Sequence, residues 1–573
     1  MLLALVVAAR GLERRNTWYL ASDQFAFLAF ADDLRHGTVF HDPGAVALLA
    51  GAVPRGETAD AYYQTYLWRD GRLWSRYPPG FPLLLAAAGA LGGERAMHLL
   101  NPLLYLVLLG ALALFTGALL EGSAIAAGAA AAAPWALLVI PTVVHYWGIT
   151  VARDLPAHLL GLGALGAAYA GRLGLAGLAL GLACSIRPDA ILYSLSLGAI
   201  ALVLRPRARV LLSGTAAFVV GAAPVLAYNT ITQGHPLAFT QGMEFRQLLG
   251  TGPGVPRMAT AAILPPVSLV SGGGFRIGHL PRILPENLRY LGTAFGLFLA
   301  PAFGALAWAA RRRPLVAAAL GPHLVGSVLF FSCWGRSDPR YLMGAVLALL
   351  VLTAMGTAAW SATLATRAYP PRTRLALAAV TLAAVLAAPQ VFPPQPQRRP
   401  LEVAASGGAL AAGLAGPAAH VAPWAPLAPA VAFASVGLTR IAAGTGARDP
   451  VQAPRVARAR AAVEALVPAG ALVITTPALG RPAENITRYT HADAHYEGEL
   501  EMLGTTPAAV SRRALAAGRR VFLLLPDSTR PPLPADVLAE VARRRGPDLY
   551  DWFADPAHAA EAVLFEVVRP PGD

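Results

Sequence analysis

One acidic residue lies at the start of a helix-forming stretch near the beginning of the chain. Ser22, Asp23 and Gln24 open a run that continues to Arg35 and ends at Gly37. Serine is a good N-cap and glycine a good C′ residue, so the run predicts a helix. An acid in its first turn could simply complement the helix dipole. From spacing alone this is the preferred interpretation, and the alternative is that the acid accepts a proton from a hydroxyl group, as a general base does.

A second polar segment precedes two prolines, Pro78 and Pro79. Arg76 and Tyr77 come directly before this pair, which breaks any helix and fixes the direction of the chain. Because arginine can hold a phosphate through paired donors, Arg76 is a candidate phosphate ligand at the level of lipid headgroups. The alternative is an ordinary headgroup-level arginine beside an aromatic belt residue.

Two further segments combine cations with acids. Arg153 and Asp154 are adjacent at the start of an apolar run, where such a pair could be only an anchor at a helix end. The segment 331–342 holds Arg340 and Tyr341 beside Asp338, whose carboxylate could pair with either neighbouring arginine. This is a dense group of charges for a short turn between apolar runs.

The composition places these segments in a membrane protein. The 573 residues are 56% hydrophobic and 14% charged, with a mean hydropathy of +0.52. A soluble domain carries about a quarter charged residues, so this chain cannot cover a water-facing surface of its size. The net charge of +14 comes from short arginine clusters between apolar runs, which indicates the positive-inside pattern rather than nucleic-acid binding. Cys184 and Cys333 provide neither a disulfide framework nor metal-ligand spacing.

Apolar runs predict about 11 to 13 transmembrane helices. They lie near 96–119, 123–142, 154–171, 173–186, 188–204, 209–229, 288–310, 314–332, 341–364 and 374–392, with a further hairpin in 403–442. If the arginine clusters at 205–209, 311–313 and 367–374 are cytoplasmic, then 22–95, 143–153, 230–287, 333–340 and the C-terminal segment lie outside. The helix that begins at Ser22 would then lie on the outer leaflet. Residues 1–9 are too short to span a bilayer, which favours a first helix that is clipped or that extends through Leu20.

The chain changes character after a transmembrane domain predicted over 1–445. The remainder, 446–573, predicts a soluble extracytoplasmic α/β domain with a mostly parallel sheet. Its three helix-then-strand units are 455–466 with 471–475, 507–517 with 520–525, and 535–544 with 562–568. His491, Asp493 and His495 would share one face of a strand and could hold a metal, but a solvated loop is the preferred interpretation.

The order of these motifs resembles the GT-C superfamily of polytopic glycosyltransferases that use polyprenyl-phosphate sugars. The family includes protein O-mannosyltransferases and aminoarabinose transferases. The acid at Asp23, the Y-P-P-G-x-P-L-L run at 77–84 and the D-P-R-Y-L run at 338–342 carry the resemblance, and 185–189 and 228–237 fit it. The likeness covers roughly 22–350. It departs from the family pattern where a single carboxylate replaces an acidic pair, and where Tyr77 replaces a lysine of some members.

The resemblance implies an inverting transfer of one sugar from a polyprenyl-phosphate carrier to an acceptor outside the bacterial cytoplasmic membrane. Asp23 would be the general base, and Asp154 would be a second catalytic acid. The residues implied in substrate binding are Arg76, Tyr77, Arg153, Arg340 and Tyr341. The expected partners are the lipid-linked donor, membrane lipid and an unknown glycan, lipid or protein acceptor, with no nucleic acid. No cofactor is expected because the carrier is a good leaving group, and a divalent metal stays open.

Two alternatives belong to other classes. A transporter or flippase for a lipid-linked sugar would place ionisable residues near helix centres, whereas the polar residues here gather at predicted outer helix ends. A non-catalytic wall-assembly protein would act through its C-terminal domain, and deletion of that domain would separate it from an enzyme.

Overall fold

The computed structural model describes most of the predicted membrane domain and most of the C-terminal segment. The described residues are 22–42, 59–61, 65–69, 71–139, 150–237, 277–334, 337–366, 461–476, 482–490, 492–503, 505–545 and 561–571. They form two compact units, one within 101–366 and one that joins the residues up to 100 with those from 461 onward. The predicted boundary between 445 and 446 lies outside the described residues and stays a prediction.

The helices and strands are numbered here in chain order. The helices before residue 367 are α1 (Ser22–Arg35), α2 (Gly80–Leu119), α3 (Ala126–Val139), α4 (Asp154–Tyr169), α5 (Leu173–Ile186), α6 (Tyr193–Leu204), α7 (Ala208–Gln233), α8 (Leu280–Phe295), α9 (Leu299–Arg312), α10 (Pro314–Ser332) and α11 (Met343–Thr366). The first four strands are β1 (Phe40–His41), β2 (Ala59–Ala61), β3 (Tyr66–Arg69) and β4 (Arg72–Ser75). The C-terminal elements are β5 (Leu472–Thr475), α12 (Pro482–Tyr489), β6 (Asp493–Tyr496), α13 (Glu497–Met502), α14 (Pro507–Ala516), β7 (Val521–Pro526), β8 (Leu538–Arg545) and β9 (Glu561–Val567).

The chain is a multi-pass α-helical membrane protein, as its composition predicts. Among the described helices, four are long and apolar enough to cross a membrane: Gly80–Leu119, Ala208–Thr232, Pro314–Ser332 and Pro339–Trp360. The helices α8 and α9 add a fifth crossing if they form one bent span, and shorter apolar helices lie between these. The total of 11 to 13 spans stays a prediction, because 374–392 and 403–442 lie outside the described residues.

Two predicted spans correspond to a longer helix or a broken one in the structure. The predicted span 96–119 matches the second part of α2, which follows a break at Gly92 and Gly93, whereas the first part adds a helical segment from Gly80 that was not predicted. The predicted span 288–310 is instead two helices that meet at 103°. Gly296, with φ +53° and ψ −129°, lies at this break in a conformation that favours glycine.

Glycines bring α5 and α7 into direct backbone contact. A Cβ atom at Gly177 would lie 2.0 Å from the carbonyl oxygen of Gly214, and one at Gly181 would lie 2.2 Å from that of Phe218. A Cβ atom at Gly221 would lie 2.4 Å from a carbonyl oxygen of α5. Membrane helices pack through small residues because lipid provides no hydrophobic force that drives them together. This glycine contact therefore fixes the spacing of two helices in the unit within 101–366.

One contact joins the turn after α2 to the turn between α9 and α10. The guanidinium of Arg313 donates to the carbonyl oxygens of Leu119 at 3.2 Å and Glu121 at 3.1 and 3.2 Å. The predicted orientation places both turns on the cytoplasmic side. Their contact agrees with that assignment, since it requires them to lie on the same side.

The unit formed by the described residues of 22–100 and 461–571 contains two sheets. The first is antiparallel with the order β1-β4-β3-β2, and it delivers the chain to Arg76 directly after β4. The second has the order β6-β5-β7-β9-β8 and forms the predicted C-terminal α/β region. Its first three strands are parallel, and β9 and β8 add antiparallel pairs.

Two predictions for the C-terminal segment are wrong. The predicted helix 535–544 is a short turn followed by strand β8, because pairing with β9 overrides a helix-forming composition. The preferred loop around Asp493 and His495 is instead the buried strand β6, which pairs with β5. His491 lies outside the described residues.

Candidate active site

The predicted helix near the start of the chain is present as α1. It begins at Ser22 and ends at Arg35, and Gly37 follows with the positive φ of +77° that its C′ position requires. Every residue from Gln24 to Ala31 is buried. Protein thus encloses α1 over these two turns, so the position of Asp23 is fixed by packing. Its predicted place on the outer leaflet stays a prediction.

Asp23 receives a short hydrogen bond from a tyrosine. The hydroxyl of Tyr77 donates to Asp23 Oδ1 at 2.5 Å, and the backbone N–H of Tyr77 donates to Ser75 Oγ at 3.2 Å. The ring of Tyr77 packs edge-on against Phe27 of α1, with 4.8 Å between centroids. The carboxylate is half-buried, so its tyrosine partner orients it while part of it stays accessible. A fixed, partly exposed carboxylate can accept a proton from a bound hydroxyl group.

Arg76 is buried in the same unit. Its side chain is 2% exposed, and its backbone N–H donates to the carbonyl oxygen of Thr65 at 3.0 Å. Burial lowers the pKa of its guanidinium to about 9, against a smaller opposing effect of Tyr77. The group is still cationic at neutral pH, and poor solvation strengthens its attraction to an anion. Tyr77 is also buried, so protein encloses both residues, and their predicted place at the headgroup level stays a prediction.

Asp154 belongs to a buried ion pair. It is the first residue of α4, it is 4% exposed, and its Oδ1 accepts from Nη1 of Arg187. Arg187 also donates to both oxygens of Asp189, at 2.9 Å from Nε and 2.6 Å from Nη2. A buried arginine requires such partners because an uncompensated charge in a poorly solvated place is costly. The geometry favours Asp154 as a counter-ion of Arg187.

Arg340 and Tyr341 lie in a short turn, Pro339–Leu342, next to Arg187. Asp338 caps this turn by accepting from the backbone N–H of Arg340 at 2.9 Å. The guanidinium of Arg340 donates to the hydroxyl of Tyr341 at 3.2 Å, and its Cζ lies 5.0 Å from the ring centroid. The Cζ of Arg187 lies 5.7 Å from the same centroid. Tyr341 thus contacts two cations through its ring, an arrangement in which each cation is attracted to the aromatic face.

Arg153 completes this group at the N-cap of α4. It is half-buried, and its charge acts on Asp189. The structure therefore gathers Arg153, Asp154, Arg340 and Tyr341 around Arg187. It separately brings Asp23, Arg76 and Tyr77 together. The sequence presents Arg187 only as part of the 185–189 motif, and its one signal of importance is a cation between two apolar helices.

Asn287 is a buried residue that sequence reasoning missed. Its Nδ2 donates to Ser332 Oγ at 3.1 Å, and its Oδ1 accepts from Ser337 Oγ at 2.8 Å. Ser332 ends α10, and Ser337 precedes the turn that carries Arg340. Asn287 thus ties α8 to both sides of that turn. A single asparagine in an amphipathic helix gives no signal in the sequence that would single it out.

A polar cluster also lies inside the helices. His158 Nδ1 is 3.0 Å from the hydroxyl of Tyr193, whose ring stacks on His323 at 3.7 Å between centroids. The two histidines are 6% and 3% exposed. A Cβ atom at Gly344 would lie 2.5 Å from Nε2 of His323, so a glycine provides their space. The expectation that polar groups gather only at helix ends is therefore wrong, because His323 lies in the middle of α10.

His495, one of the residues predicted as possible metal ligands, lies in an ion network. Its Nε2 and Nδ1 lie 3.1 Å from Asp493 and 3.2 Å from Glu499. Burial opposes protonation of His495, but these two carboxylates outweigh it and raise its pKa to about 10. A protonated imidazole has no lone pair for a metal. In the part of the chain that the structure describes, no group of three or more His, Cys, Asp or Glu could hold a metal ion.

The fold is similar to that of solved membrane proteins, although neither a family model nor a curated protein matches the chain. It matches apo ArnT from Cupriavidus metallidurans with a TM-score of 0.59 and 16% identity, over 100% of this chain and 98% of ArnT. It matches ArnT bound to undecaprenyl phosphate with a TM-score of 0.60 and 15% identity, over 99% and 97%. A weaker likeness, with a TM-score of 0.42 and 15% identity, covers 78% of this chain and 41% of arabinosyltransferase EmbB from Mycobacterium smegmatis. The chain is thus similar in fold to ArnT, which confirms the predicted polytopic α-helical fold with a C-terminal α/β region.

Proposed function

We propose that this protein is a glycosyltransferase that moves a sugar from a polyprenyl-phosphate carrier to an acceptor on the outer face of the bacterial cytoplasmic membrane. The observation that carries the proposal is the carboxylate of Asp23, held by Tyr77 in the unit that also buries Arg76. The fold adds support, because ArnT has been crystallised with undecaprenyl phosphate. Fold alone does not assign an activity, so the proposal depends on the residues.

Asp23 has the role of general base in the proposed reaction. It removes the proton from an acceptor hydroxyl as that oxygen attacks the anomeric carbon of the sugar. The bond between this carbon and the carrier phosphate oxygen breaks, and the phosphate leaves with the electron pair. Attack from the opposite side inverts the configuration of the sugar. The proton ends on Asp23, and the negative charge ends on the carrier.

Arginines stabilise the phosphate charge that develops on the carrier. Arg76 is the candidate in the unit of Asp23, and Arg153 and Arg340 are the candidates in the helical unit, where Tyr341 orients Arg340. Arg187 is left out because Asp154 and Asp189 already neutralise its charge. For the same reason Asp154 supports the arginine cluster in this proposal and is not a second acid.

The leaving group needs no cofactor in this scheme, since a lipid phosphate is stable as an anion. The donor and membrane lipid are the proposed partners, together with a glycan, lipid or protein acceptor. The arginine clusters support an outer active face. A reporter enzyme fused after Asp573 tests this, because it should be active only outside the cytoplasm. Activity in the cytoplasm would remove the C-terminal segment from the proposed face.

The central experiment uses purified protein in liposomes. Undecaprenyl-phosphate sugars with a radiolabelled pentose, hexose or amino sugar are offered with bacterial envelope extract as acceptor. Sugar transfer should release undecaprenyl phosphate and move the label into a product that is no longer attached to the carrier. If none of the donors loses its label in the presence of the protein, the proposed function is wrong.

The buried His323, in the middle of the candidate span Pro314–Ser332, favours a second candidate, a transporter or flippase for a lipid-linked sugar. Ionisable side chains in the middle of membrane helices are typical of transport pathways. The same liposomes separate the two candidates. A flippase would move the intact labelled donor between leaflets, where an added periodate reagent reaches it, without releasing undecaprenyl phosphate.

A further inference from the structure

The C-terminal segment holds the helix that carries Asp23. Arg488, near the end of α12, donates from Nη1 to Asp32 Oδ2 of α1 and from Nε to Glu94 Oε1 at 3.2 Å. Its side chain is only 13% exposed. The three residues belong to one compact unit, although 456 positions separate Arg488 from Asp32 in the chain. One guanidinium thus connects α12, α1 and α2.

The contact of Arg488 with Asp32 lies at the opposite end of α1 from Asp23 and can therefore affect the orientation of the helix. Asp23 lies in the first turn of α1 and Asp32 in its last, about 13 Å apart along a rigid helix. Tyr77 donates to Asp23 at the first end of α1. At the other end, Nδ1 of His41 lies 3.0 Å from Oδ1 of Asp33, the residue after the one that Arg488 binds. A small displacement of the last turn would therefore tilt the helix and move the carboxylate of Asp23.

Glu94 lies just beyond the break in α2. Gly92 and Gly93 leave the helical conformation there, and Gly93 has φ +65°. The chain before this break contains Tyr77, and the chain after it enters the helical unit. Because Arg488 binds Glu94 directly after the break, it also links α1 to the residues that follow Gly93 in the same unit.

We propose that Arg488 is a positioning residue for Asp23, through which the C-terminal α/β segment sets the geometry of the catalytic base. The guanidinium suits this role because it is planar and can bind two carboxylates from different elements at once. The inference depends on the proposed function only for the role of Asp23. The contact of Arg488 with α1 is a structural feature that can be tested separately.

Arg543 provides a matched control in the same segment. It also binds two carboxylates, Asp527 and Glu540, but its side chain is 43% exposed, and both of these partners belong to the C-terminal segment. Exposed ion pairs contribute little to stability. Arg543→Ala therefore removes the same type of side chain and the same number of ion pairs without touching α1.

The first measurement is hydrogen exchange of the full-length protein in lipid nanodiscs, with no donor present. Arg488→Ala should speed exchange of the amides of residues 24–31 about tenfold or more, since α1 loses the anchor of its last turn. Arg543→Ala should leave these amides as in the wild type. Equal exchange in all three proteins would overturn the proposed grip, whatever the protein's activity.

The second measurement is sugar transfer from the radiolabelled undecaprenyl-phosphate donor that the wild type accepts. Arg488→Ala should lower kcat about 10- to 100-fold, because a misplaced base loses reactive geometry, and should change the KM for the donor less than about twofold. Arg488→Lys should recover only part of kcat, since an ammonium group is a point charge. The variant Asp32→Asn with Arg488→Ala should be little worse than Arg488→Ala alone, because the added change then affects mainly the partly exposed pair of Asp32 with Arg35, at 3.1 Å.

The outcomes separate the two proposals. Faster exchange in α1 with unchanged kcat would show that Arg488 grips the helix but does not position the base, which overturns the inference. An equal fall of kcat in Arg488→Ala and Arg543→Ala would also overturn it. If the wild type transfers no sugar, the proposed function fails, and the exchange measurement still decides whether Arg488 holds α1.

Discussion

Asp23 and Asp154 are both acids in the first turn of a helix, and both lie in a group that contains an arginine. Asp23 is half-buried and accepts a hydrogen bond from the neutral hydroxyl of Tyr77. Asp154 is buried and binds the charged guanidinium of Arg187. A carboxylate that pairs with a buried cation is needed there as a counter-ion, because a buried charge is costly without its partners. The charge of the partner therefore distinguishes the candidate base from the counter-ion, whereas their helix positions are alike.

Of the variants considered, Asp23→Asn should have the largest effect on sugar transfer. A small effect would contradict the distinction between Asp23 as the base and Asp154 as a counter-ion. The change keeps the size of the side chain but removes the base, so transfer from the undecaprenyl-phosphate donor should fall about 10²- to 10⁴-fold. Thermal stability should hardly change, because the loss of a dipole partner costs about 0.3–1 kcal/mol. Asp536→Asn, at an exposed ion pair, is the control. Near-normal transfer by Asp23→Asn would exclude this residue as the base.

Asp154→Asn should show the opposite pattern. Arg187 is buried and loses one of its two carboxylate partners, so the free energy of unfolding should fall by about 2 kcal/mol, less than for a pair with no second partner. Transfer by the protein that stays folded should fall far less than in Asp23→Asn. The measurement is thermal unfolding in detergent alongside turnover per folded molecule. A variant with normal stability and no turnover would mean that Asp154 is catalytic.

Tyr77→Phe tests the role of the neutral hydrogen-bond partner of Asp23. The ring and its contact with Phe27 remain, but the hydrogen bond to Asp23 is lost, at a cost of about 1–1.5 kcal/mol. We expect kcat to fall about tenfold, with the donor KM nearly unchanged, because the carboxylate loses its orientation. If the KM rises while kcat is retained, Tyr77 contacts the donor and does not orient the base.

The smallest expected effect concerns the pH dependence of donor binding through Arg76. The pKa of this guanidinium is lowered by burial to about 9, so its charge is complete near pH 7 and is lost as the pH rises through about 9. Binding of undecaprenyl phosphate should therefore weaken about twofold at pH 9, where half the charge is gone. The measurement is a binding titration between pH 7 and 10. Arg76→Gln should bind more weakly at pH 7 and lose this dependence, and an unchanged pH profile would exclude Arg76 as a phosphate ligand.

Local signals in the sequence predict some of this architecture well. The helix Ser22–Arg35 and the positive φ of Gly37 follow from residues that act within one or two turns. The strands Leu472–Thr475 and Val521–Pro526 follow from short apolar runs that are buried on both faces. The predicted helix at 535–544 fails because its strand conformation depends on a partner, β9, that lies further along the chain.

The ionic contacts of the candidate site are beyond such reasoning. The sequence shows Arg76, Arg153 and Arg340 as similar cations near apolar runs, and nothing local reveals that Arg187 binds Asp154 across 33 positions. Arg488 and Asp32 are still further apart and occur in segments of different composition. Spacing predicts contacts within one helix or strand, and pairs between elements are decided by the packing of the whole unit.

The glycine contact between α5 and α7 has a consequence for the evolution of the gene. Every amino acid that can replace glycine brings a Cβ atom, and at Gly177 and Gly181 that atom would overlap a backbone oxygen, which cannot rotate away as a side chain can. No missense change in either codon is therefore conservative, including the change to alanine. Lineages that diverge freely along the lipid-facing surface of these helices should keep both codons for glycine, or change the opposite helix at the same time.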